Sequence, residues 1–319
     1  MRFDDRVVLI TGAGRGIGRG HALYFAERGA RIVVNDNGTS RHGGSGHDPA
    51  PAEAVVAEIR AAGGSAIAAC CDITEAERVA GMIDAAIVEF GRIDAVVHNA
   101  TVFAPPSDFD NARVADLDRI LRVNVQGGWN VLQAAWPHMR RQGHGRIIVT
   151  GSGAGFFGRR LDHAYSIAKG ALMTMTKLLA TEGEPFGIKA NLIGPAAWTE
   201  NAKDQGMPPL MEKFAPTVLI SHIVAALAHE LCPVNGEMFH CGGGFFARVF
   251  IGETQGTAFT PEAMTPEAVL GAMESILDTR GFIMPTSTDG STAHLNAGIS
   301  AANPEFAAAL AAATAKPGS

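Results

Sequence analysis

Short apolar runs alternate with longer segments of helical periodicity, and this alternation restricts the fold more than any other feature of the chain. The runs predict strands at 6–11, 31–36, 66–72, 93–99, 146–152, 189–195 and 236–242. The segments between them predict helices at 17–28, 51–62, 75–90, 113–140, 163–183 and 216–231. Because the first five runs are apolar throughout, they are typical of parallel strands covered on both faces. The alternation therefore predicts an α/β fold, a Rossmann-type doubly wound parallel sheet of about seven strands.

Composition and charge narrow the range of partners. The net charge is -6 and no large basic cluster occurs, so no nucleic-acid partner is expected. No apolar run reaches the roughly 18 residues of a membrane helix, so no membrane partner is expected, and no signal-peptide pattern precedes the first strand. The 11 histidines show no ligand spacing, so no metal is expected. The cysteines show no framework spacing, which predicts buried free thiols in a reducing cytoplasm; they are Cys70, Cys71, Cys232 and Cys241.

The segment TGAGRGIG, Thr11–Gly18, joins the first predicted strand to the first predicted helix. Glycines in this context let the backbone turn tightly and approach a pyrophosphate, and the helix N-terminus offers N–H groups to the anion. Asp36 ends the second strand, where a carboxylate would accept hydrogen bonds from the adenosine ribose hydroxyls. Together these features favour a dinucleotide site over a glycine-rich turn beside a capping aspartate.

A second group of residues could move protons. Tyr165 and Lys169 are four residues apart in a predicted helix and share one face. An ammonium group there favours the phenolate and lowers the tyrosine pKa, so the tyrosine could be a general base toward an alcohol or a general acid toward a ketone. Ser152, at the end of the fifth strand, could hydrogen-bond the reacting oxygen. Asn124 lies on the long helix predicted at 113–140. It could have a functional role, in which it anchors a water or bends the helix, or it could be a satisfied core amide.

These features all follow the carboxyl ends of predicted parallel strands. In open α/β sheets this edge is where ligands bind. The residues placed there are Gly12–Gly18, Asp36, Asp72, Asn99, Ser152 and Pro195. Packing alone does not explain so many polar and glycine positions on one rim.

The combination resembles the short-chain dehydrogenase/reductase family over about residues 4–245. The resemblance implies a catalytic tetrad of Asn124, Ser152, Tyr165 and Lys169. It also implies that a nicotinamide cofactor is bound by Gly12, Arg15, Gly16, Ile17, Gly18, Asp36, Asp72, Ile73, Asn99, Ala100, Tyr165, Lys169 and Pro195. Segments 37–51, 134–148 and 232–249 look like one subgroup, the (3R)-hydroxyacyl-CoA dehydrogenase units of peroxisomal multifunctional enzymes of type 2, which are 17β-hydroxysteroid dehydrogenase-like.

The chain departs from the family pattern at two points. Residues 98–101 are His-Asn-Ala-Thr where the family has Asn-Asn-Ala-Gly, and residues 195–196 are Pro-Ala where it has Pro-Gly. The Cβ atoms of Thr101 and Ala196 are expected to tighten the cofactor or substrate pocket and to affect substrate preference. The tetrad is intact, so activity itself is not put in doubt.

The resemblance implies an NAD-dependent oxidoreductase that interconverts a secondary alcohol and a ketone, with a 3-hydroxyacyl-CoA or a steroid-like alcohol as the small-molecule substrate. The alternatives are a ketoreductase acting on a non-CoA carbonyl and a non-catalytic nucleotide-sensing protein. We expect a dinucleotide-binding catalytic domain at 1–245 and a C-terminal extension at 246–319 that covers the pocket or lies in a subunit interface. Thr-Pro-Glu-Ala at 260–263 and 265–268 predicts two helix starts in the extension. The family implies a homodimer or homotetramer.

Three arginines bear on the ligands. Arg15 in the glycine loop suits the 2′-phosphate of NADP, whereas Asp36 suits the ribose hydroxyls of NAD; we expect Asp36 to prevail and NAD to be the cofactor. Arg159 and Arg160, between Ser152 and Tyr165, could receive an anionic substrate, although two solvated loop arginines explain them equally well.

Overall fold

The computed structural model describes residues 1–44, 47–204 and 206–314. Within them, eight strands form one sheet: β1 (Val7–Thr11), β2 (Arg31–Asn35), β3 (Ser65–Ala69), β4 (Ala95–His98), β5 (Gly145–Thr150), β6 (Ile188–Ala196), β7 (Met238–Gly242) and β8 (Phe245–Val249). Their order is β3-β2-β1-β4-β5-β6-β7-β8. All neighbouring pairs from β3 to β7 are parallel, and β8 pairs antiparallel with β7. The predicted doubly wound sheet is confirmed.

The strand that sequence reasoning missed is β8. It follows β7 through Gly243 and Gly244, whose φ angles are +56° and +84°. Two consecutive residues with positive φ form the tight hairpin turn that suits the twist of antiparallel strands. The Gly-Gly pair between two apolar runs was the available signal. Because β8 belongs to the sheet, the first compact unit, Met1–Val249, includes it.

Ten α-helices connect or flank these strands in the described part of residues 1–249: α1 (Gly16–Glu27), α2 (Ala50–Ala61), α3 (Ala76–Phe90), α4 (Val114–Leu121), α5 (Gly127–Gln142), α6 (Gly153–Phe157), α7 (His163–Gly183), α8 (Glu200–Asp204), α9 (Met211–Phe214) and α10 (Val218–Ala228). Short 3-10 helices cover Phe109–Asn111 and Glu184–Phe186. The single helix predicted at 113–140 is instead α4 and α5 separated by a π-helical turn, Arg122–Gln126. Such turns are rare and occur frequently at functional sites.

The core lies in two layers, one on each face of the sheet. Val8 and Ile10 of β1 pack with side chains of α1, α2 and α10, whereas Val7 and Leu9 pack with those of α3, α5 and α7. Each of these four side chains is fully buried. Burying an aliphatic side chain of this size contributes about 1.5–3 kcal/mol, so a strand that is apolar at every position is stabilised from both faces. This explains why the runs do not alternate.

One apolar stretch resembles a membrane span by composition. The window Met211–Ala228 is 18 residues long with a mean hydropathy of 1.3. The structure divides it into α9 and α10 around Pro216, and α10 buries Ile220, Val224 and Leu227 in the core. These three side chains therefore pack in the core, and 39% of the window as a whole is buried.

The cysteines are free thiols, but only two are buried as predicted. Cys232 and Cys241 are buried, whereas Cys70 and Cys71 are partly exposed. They follow β3, an edge strand of the parallel sheet, where one side lacks a neighbouring strand to cover the chain.

The second compact unit is Phe250–Ser319. Its described helices are α11 (Pro266–Gly271), α12 (Met273–Ile276), α13 (Thr288–Ala302) and α14 (Pro304–Thr314). The Thr265 hydroxyl accepts a hydrogen bond from Ala268 N at 3.1 Å, so the second Thr-Pro-Glu-Ala copy starts a helix as predicted. The first copy forms a turn instead. The role expected for 246–319, pocket cover or subunit interface, stays a prediction.

Candidate active site

A cleft of about 1150 Å³ opens at the carboxyl ends of the parallel strands. Its wall contains most of the residues singled out in the sequence: Gly12, Arg15, Gly16, Ile17, Asp36, Asp72, Ile73, Asn99, Ala100, Ser152, Arg159, Tyr165, Lys169 and Pro195. The two departures, Thr101 and Ala196, are also in the wall. Gly18 and Asn124 are buried behind it, and Arg160 is an exposed residue outside it. One cleft thus collects the predicted cofactor and proton-transfer groups.

The glycine loop turns sharply between β1 and α1. Gly12 and Gly16 have φ angles of +63° and +52°, which side chains with a Cβ rarely adopt. Arg15 is the N-cap of α1 and makes no side-chain cap hydrogen bond, so the first N–H groups of the helix keep their capacity to bind an anion. The loop and helix start suit a pyrophosphate.

Asn99 and Thr11 hold this loop in place. The Asn99 side-chain amide donates to the carbonyls of Thr11 and Gly12, both at 3.1 Å. In return, the Thr11 hydroxyl oxygen accepts the backbone N–H groups of Asn99 and Ala100, both at 3.0 Å. The ends of β1 and β4 are therefore locked together at the floor of the cleft.

The Asp36 carboxylate is fixed by the backbone. One oxygen accepts from Gly14 N at 2.9 Å, and the other accepts from Gly38 N at 2.8 Å. Each carboxylate oxygen retains acceptor capacity, so the group can still accept hydroxyl hydrogen bonds from a ligand in the cleft. Arg15, the residue with the opposite implication for the cofactor, is exposed at the same wall.

The long loop predicted at 37–51 runs from Asp36 toward α4; its residues 45 and 46 lie outside the described part of the chain. The Arg119 guanidinium of α4 donates to the carbonyls of His42 and Phe103. Phe103 N donates to the Arg41 carbonyl at 2.9 Å. The ring of Phe103 in turn stacks on the Tyr165 ring, with centroids 4.8 Å apart. The loop after β2 is therefore connected to the tyrosine.

Ser152, Tyr165 and Lys169 lie together in the cleft wall. Ser152 caps α6, its hydroxyl accepting from Ala154 N at 3.1 Å, and it also hydrogen-bonds Tyr165. Lys169 is buried, and its ammonium group donates to the Thr150 carbonyl at 2.7 Å. Its Nζ atom is 5.5 Å from the centroid of the Tyr165 ring. The three groups form a compact set around the phenol.

The titration of this group differs from the sequence expectation. Burial raises the pKa of Tyr165 to about 12, although the hydrogen bond from Ser152 acts to lower it. Burial also lowers the pKa of Lys169 to about 7. The net shift of the Tyr165 pKa is therefore upward, opposite to the direction expected from the lysine alone, because desolvation of the phenol is its largest cause.

Asn124 lies in the π-helical turn and is fully buried. Its side-chain oxygen accepts from Val102 N at 3.0 Å, and its backbone carbonyl accepts from His98 Nε2 at 2.8 Å. The side chain is thus a satisfied core amide, and the helix geometry does change at this residue.

Sequence reasoning missed four residues that build the site. Thr11 and His98 brace the glycine loop, Phe103 stacks on the tyrosine, and Thr150 holds the lysine. For His98 a signal existed, since it departs from the family pattern. Thr150 acts through its backbone carbonyl, which carries no residue-specific signal in a sequence.

Comparison with known proteins agrees with this geometry. Residues 6–205 match the family described as short chain dehydrogenase. The chain is 38% identical to the peroxisomal multifunctional enzyme type 2 of Mus musculus, over 92% of this chain and 39% of that protein. It is also 38% identical to the peroxisomal hydratase-dehydrogenase-epimerase of Saccharomyces cerevisiae, over 88% of this chain and 31% of that protein. The chain therefore spans about a third of the length of these relatives.

A relative of similar length is a short-chain type dehydrogenase/reductase of Mycobacterium tuberculosis, which is 39% identical over 80% of this chain and 88% of that protein. Among solved structures, the full-length peroxisomal multifunctional enzyme type 2 of Drosophila melanogaster is 28% identical with a TM-score of 0.76, over 92% of this chain and 49% of that one. NAD⁺-bound xylitol dehydrogenase is 27% identical with a TM-score of 0.68, over 76% of this chain and all of that one.

These relatives also correct one expectation. The predicted cytoplasmic location is wrong, because the relatives from yeast, mouse, Neurospora crassa and Dictyostelium discoideum are named as peroxisomal enzymes. The expectation rested on the cysteine pattern, which does not distinguish one reducing compartment from another. The family match and the identity to these relatives lead to one conclusion: the chain belongs to the short-chain dehydrogenase/reductase family, and it is an oxidoreductase that uses a nicotinamide cofactor.

Proposed function

We propose that the protein is an NAD-dependent dehydrogenase that interconverts a secondary alcohol and a ketone, with a 3-hydroxyacyl-CoA as its substrate. The observation that carries the proposal is the grouping of Ser152, Tyr165 and Lys169 in the cleft that also contains Asp36 and the glycine loop. A protein that only senses a nucleotide has no use for a phenol, a hydroxyl and an ammonium group beside its ligand site.

In this proposal Tyr165 transfers the proton and Ser152 orients the reacting oxygen. The nicotinamide cofactor, held by Asp36, the glycine loop and Asn99, supplies the hydride chemistry. The Ser152 oxygen already accepts from Ala154 N, so its O–H is directed toward the phenol or the substrate oxygen. Tyr165 takes the hydroxyl proton of an alcohol, or returns it to a ketone.

In this proposal a charged Lys169 offsets part of the burial that raises the pKa of Tyr165. The Lys169 Nζ atom lies 5.5 Å from the centroid of the Tyr165 ring, and a positive charge so close to the phenol favours the phenolate. An ionised Tyr165 raises the pKa of Lys169 by the same interaction, so the two groups titrate together. The positive charge of an oxidised nicotinamide would lower the tyrosine pKa further. Thr150 fixes the ammonium group throughout.

The preference for NAD rests on Asp36. The carboxylate would accept hydrogen bonds from the 2′- and 3′-hydroxyls of the adenosine ribose and would repel a 2′-phosphate. Its two backbone hydrogen bonds keep it from turning away. Arg15 is exposed, so its offsetting contribution is small.

The acyl-CoA substrate rests on the multifunctional relatives and on the charge of the cleft. Arg122 and Arg159 contribute to its wall, and guanidinium groups suit phosphate recognition. Arg41 and Arg119 are also in the wall, but they form ion pairs with Asp204 and Asp116. The proposal further includes a peroxisomal location, by analogy with those relatives, and a homodimer or homotetramer, as is usual in this family. A ketoreductase acting on a non-CoA carbonyl is the alternative within the same chemistry.

The test is a substrate panel. Purified protein is incubated with NAD and with 3-hydroxyacyl-CoA thioesters, steroid alcohols and simple secondary alcohols, and NADH formation is followed by absorbance. We expect the highest kcat/KM with a 3-hydroxyacyl-CoA, and a kcat lowered by ~10²–10⁴-fold in Tyr165→Phe. A preference for a non-CoA alcohol would replace the substrate assignment. No turnover in either direction with any panel member would refute the enzymatic function.

A further inference from the structure

His98 is a buried histidine that the proposed chemistry does not use. It ends β4 and is 1% exposed, while its neighbours Asn99 and Ala100 line the cleft. Its ring Nδ1 atom is 3.2 Å from the Thr11 hydroxyl oxygen, and its Nε2 atom is 2.8 Å from the Asn124 carbonyl oxygen. Both ring nitrogens therefore have a partner inside the protein.

The partners determine the tautomer of the ring. A backbone carbonyl only accepts, so Nε2 carries the proton, and Nδ1 is then an acceptor. The Thr11 hydroxyl donates to Nδ1, because its oxygen already accepts the N–H groups of Asn99 and Ala100. All hydrogen-bonding groups are satisfied with a neutral ring. A second proton would face an oxygen whose two lone pairs are used, which agrees with the pKa of His98 being lowered to about 4, mainly by burial.

Each end of the ring leads to a different part of the site. On the Thr11 side, the Thr11 hydroxyl oxygen accepts a hydrogen bond from Asn99 N, and the Thr11 carbonyl accepts one from the Asn99 side-chain amide. The same amide also donates to the Gly12 carbonyl and so holds the glycine loop. The loop is where the pyrophosphate of the cofactor would lie.

On the other side, His98 binds the π-helical turn through the carbonyl of Asn124, and the Asn124 side chain holds Val102 N. The next residue is Phe103, whose ring stacks on Tyr165. The helix also makes space for the ring: a Cβ on Gly128 would be 2.5 Å from His98 Nε2.

We propose that His98 is a positioning residue that connects the two halves of the active site, Nδ1 holding the glycine loop through Thr11 and Nε2 holding the Asn124 turn beside Tyr165. For its kinetic consequences the proposal rests on the proposed dehydrogenase function. The two hydrogen bonds of His98, and their separate effects on the two parts of the site, do not depend on that function.

Two amide substitutions separate the two hydrogen bonds. His98→Asn places its amide near the position of Nδ1 and can keep the Thr11 contact, but it is too short to reach the Asn124 carbonyl. His98→Gln can place an N–H group near the position of Nε2 and keep the Asn124 contact, but it lacks the acceptor facing Thr11. The pair are therefore matched controls for each other.

We expect opposite responses from the pair. His98→Asn should lower kcat about tenfold (~1.4 kcal/mol) and leave the Kd for NAD within about twofold. His98→Gln should raise the Kd for NAD about tenfold, measured by calorimetry without substrate, and leave kcat within about threefold. Amide hydrogen exchange should speed up at Val102 in the first variant and at Asn99 and Ala100 in the second.

Gly128→Ala supplies an independent perturbation, because its Cβ would push the ring away from the Asn124 carbonyl while His98 is retained. It should reproduce the kcat loss of His98→Asn, and combining the two substitutions should add little further loss. If either His98 variant fails to fold, Gly128→Ala still tests whether the hydrogen bond from His98 to the Asn124 carbonyl supports kcat.

Equal changes in kcat and Kd in both variants, in proportion to their loss of Tm, would overturn the proposal and make His98 a space-filling residue. If the wild-type protein oxidises no alcohol, the proposed function fails, and the hydrogen-exchange and NAD-binding results still decide whether His98 has two separable roles. Unchanged amide hydrogen exchange in both variants would refute the proposal that His98 has two separable roles.

Discussion

Replacing Asp36 should change which nicotinamide cofactor the enzyme prefers. Like charges about 4 Å apart repel by roughly 1 kcal/mol in water and up to ~4 kcal/mol near a protein surface. Asp36 is partly buried and held by Gly14 N and Gly38 N at 2.9 and 2.8 Å, so it cannot swing away from a 2′-phosphate. Arg15 is exposed and offsets only about 0–1 kcal/mol. The wild-type protein should therefore prefer NAD by about tenfold or more in kcat/KM, which corresponds to ~1.4 kcal/mol.

Asp36→Ala should narrow or reverse this preference. The substitution removes the repulsion and leaves Gly14 N and Gly38 N without their acceptor, so both become donors available to a phosphate. Asp36→Asn is the matched control, since it removes the charge and keeps one acceptor oxygen. The assay compares kcat/KM for NAD and NADP with one alcohol substrate. A wild-type enzyme that uses both cofactors equally would show that Asp36 does not face the 2′ position or that Arg15 contributes more than its exposure implies.

Three further predictions concern catalysis, acid stability and substrate binding. Tyr165→Phe should lower kcat by ~10²–10⁴-fold with the Kd for NAD unchanged; a variant that keeps more than about a tenth of wild-type kcat would assign proton transfer elsewhere. Burial lowers the pKa of His21 to about 3 and that of His98 to about 4, so their contribution to stability is complete above the unfolded pKa of ~6.5 and is lost as pH falls toward 4. Tm should fall over this range, less steeply in His98→Gln, and equal slopes would contradict the assignment. Arg159→Ala should raise KM for an acyl-CoA but not for a neutral alcohol, while Arg160→Ala, outside the cleft, should change neither; similar effects on both substrate types would exclude a phosphate-binding role.

The sheet and the position of the cleft could be predicted because they follow from local signals. Continuous apolar runs such as residues 6–11 specify strands buried on both faces, and the polar residues that follow them must then meet at one edge. The Gly-Gly pair before β8 is an equally local signal of a hairpin, but it lies at the expected domain boundary, so no strand was predicted after it.

The missed features depend on contacts between distant parts of the chain. The π-helical turn at Arg122–Gln126 is stabilised by His98 and Val102, and neither contact is visible in the periodicity of residues 113–140. The direction of the Tyr165 pKa shift could not be derived either, because it depends on how completely the folded chain removes water from the phenol and from Lys169.

The most direct test of the account is the NAD-dependent oxidation of a 3-hydroxyacyl-CoA by the purified chain, with both enantiomers assayed separately and Tyr165→Phe as the control. We expect NADH formation with one enantiomer, a lower rate with neutral alcohols, and loss of turnover in the variant with NAD binding retained. Equal rates for wild type and Tyr165→Phe, or NAD binding with no turnover of any alcohol or ketone, would contradict it.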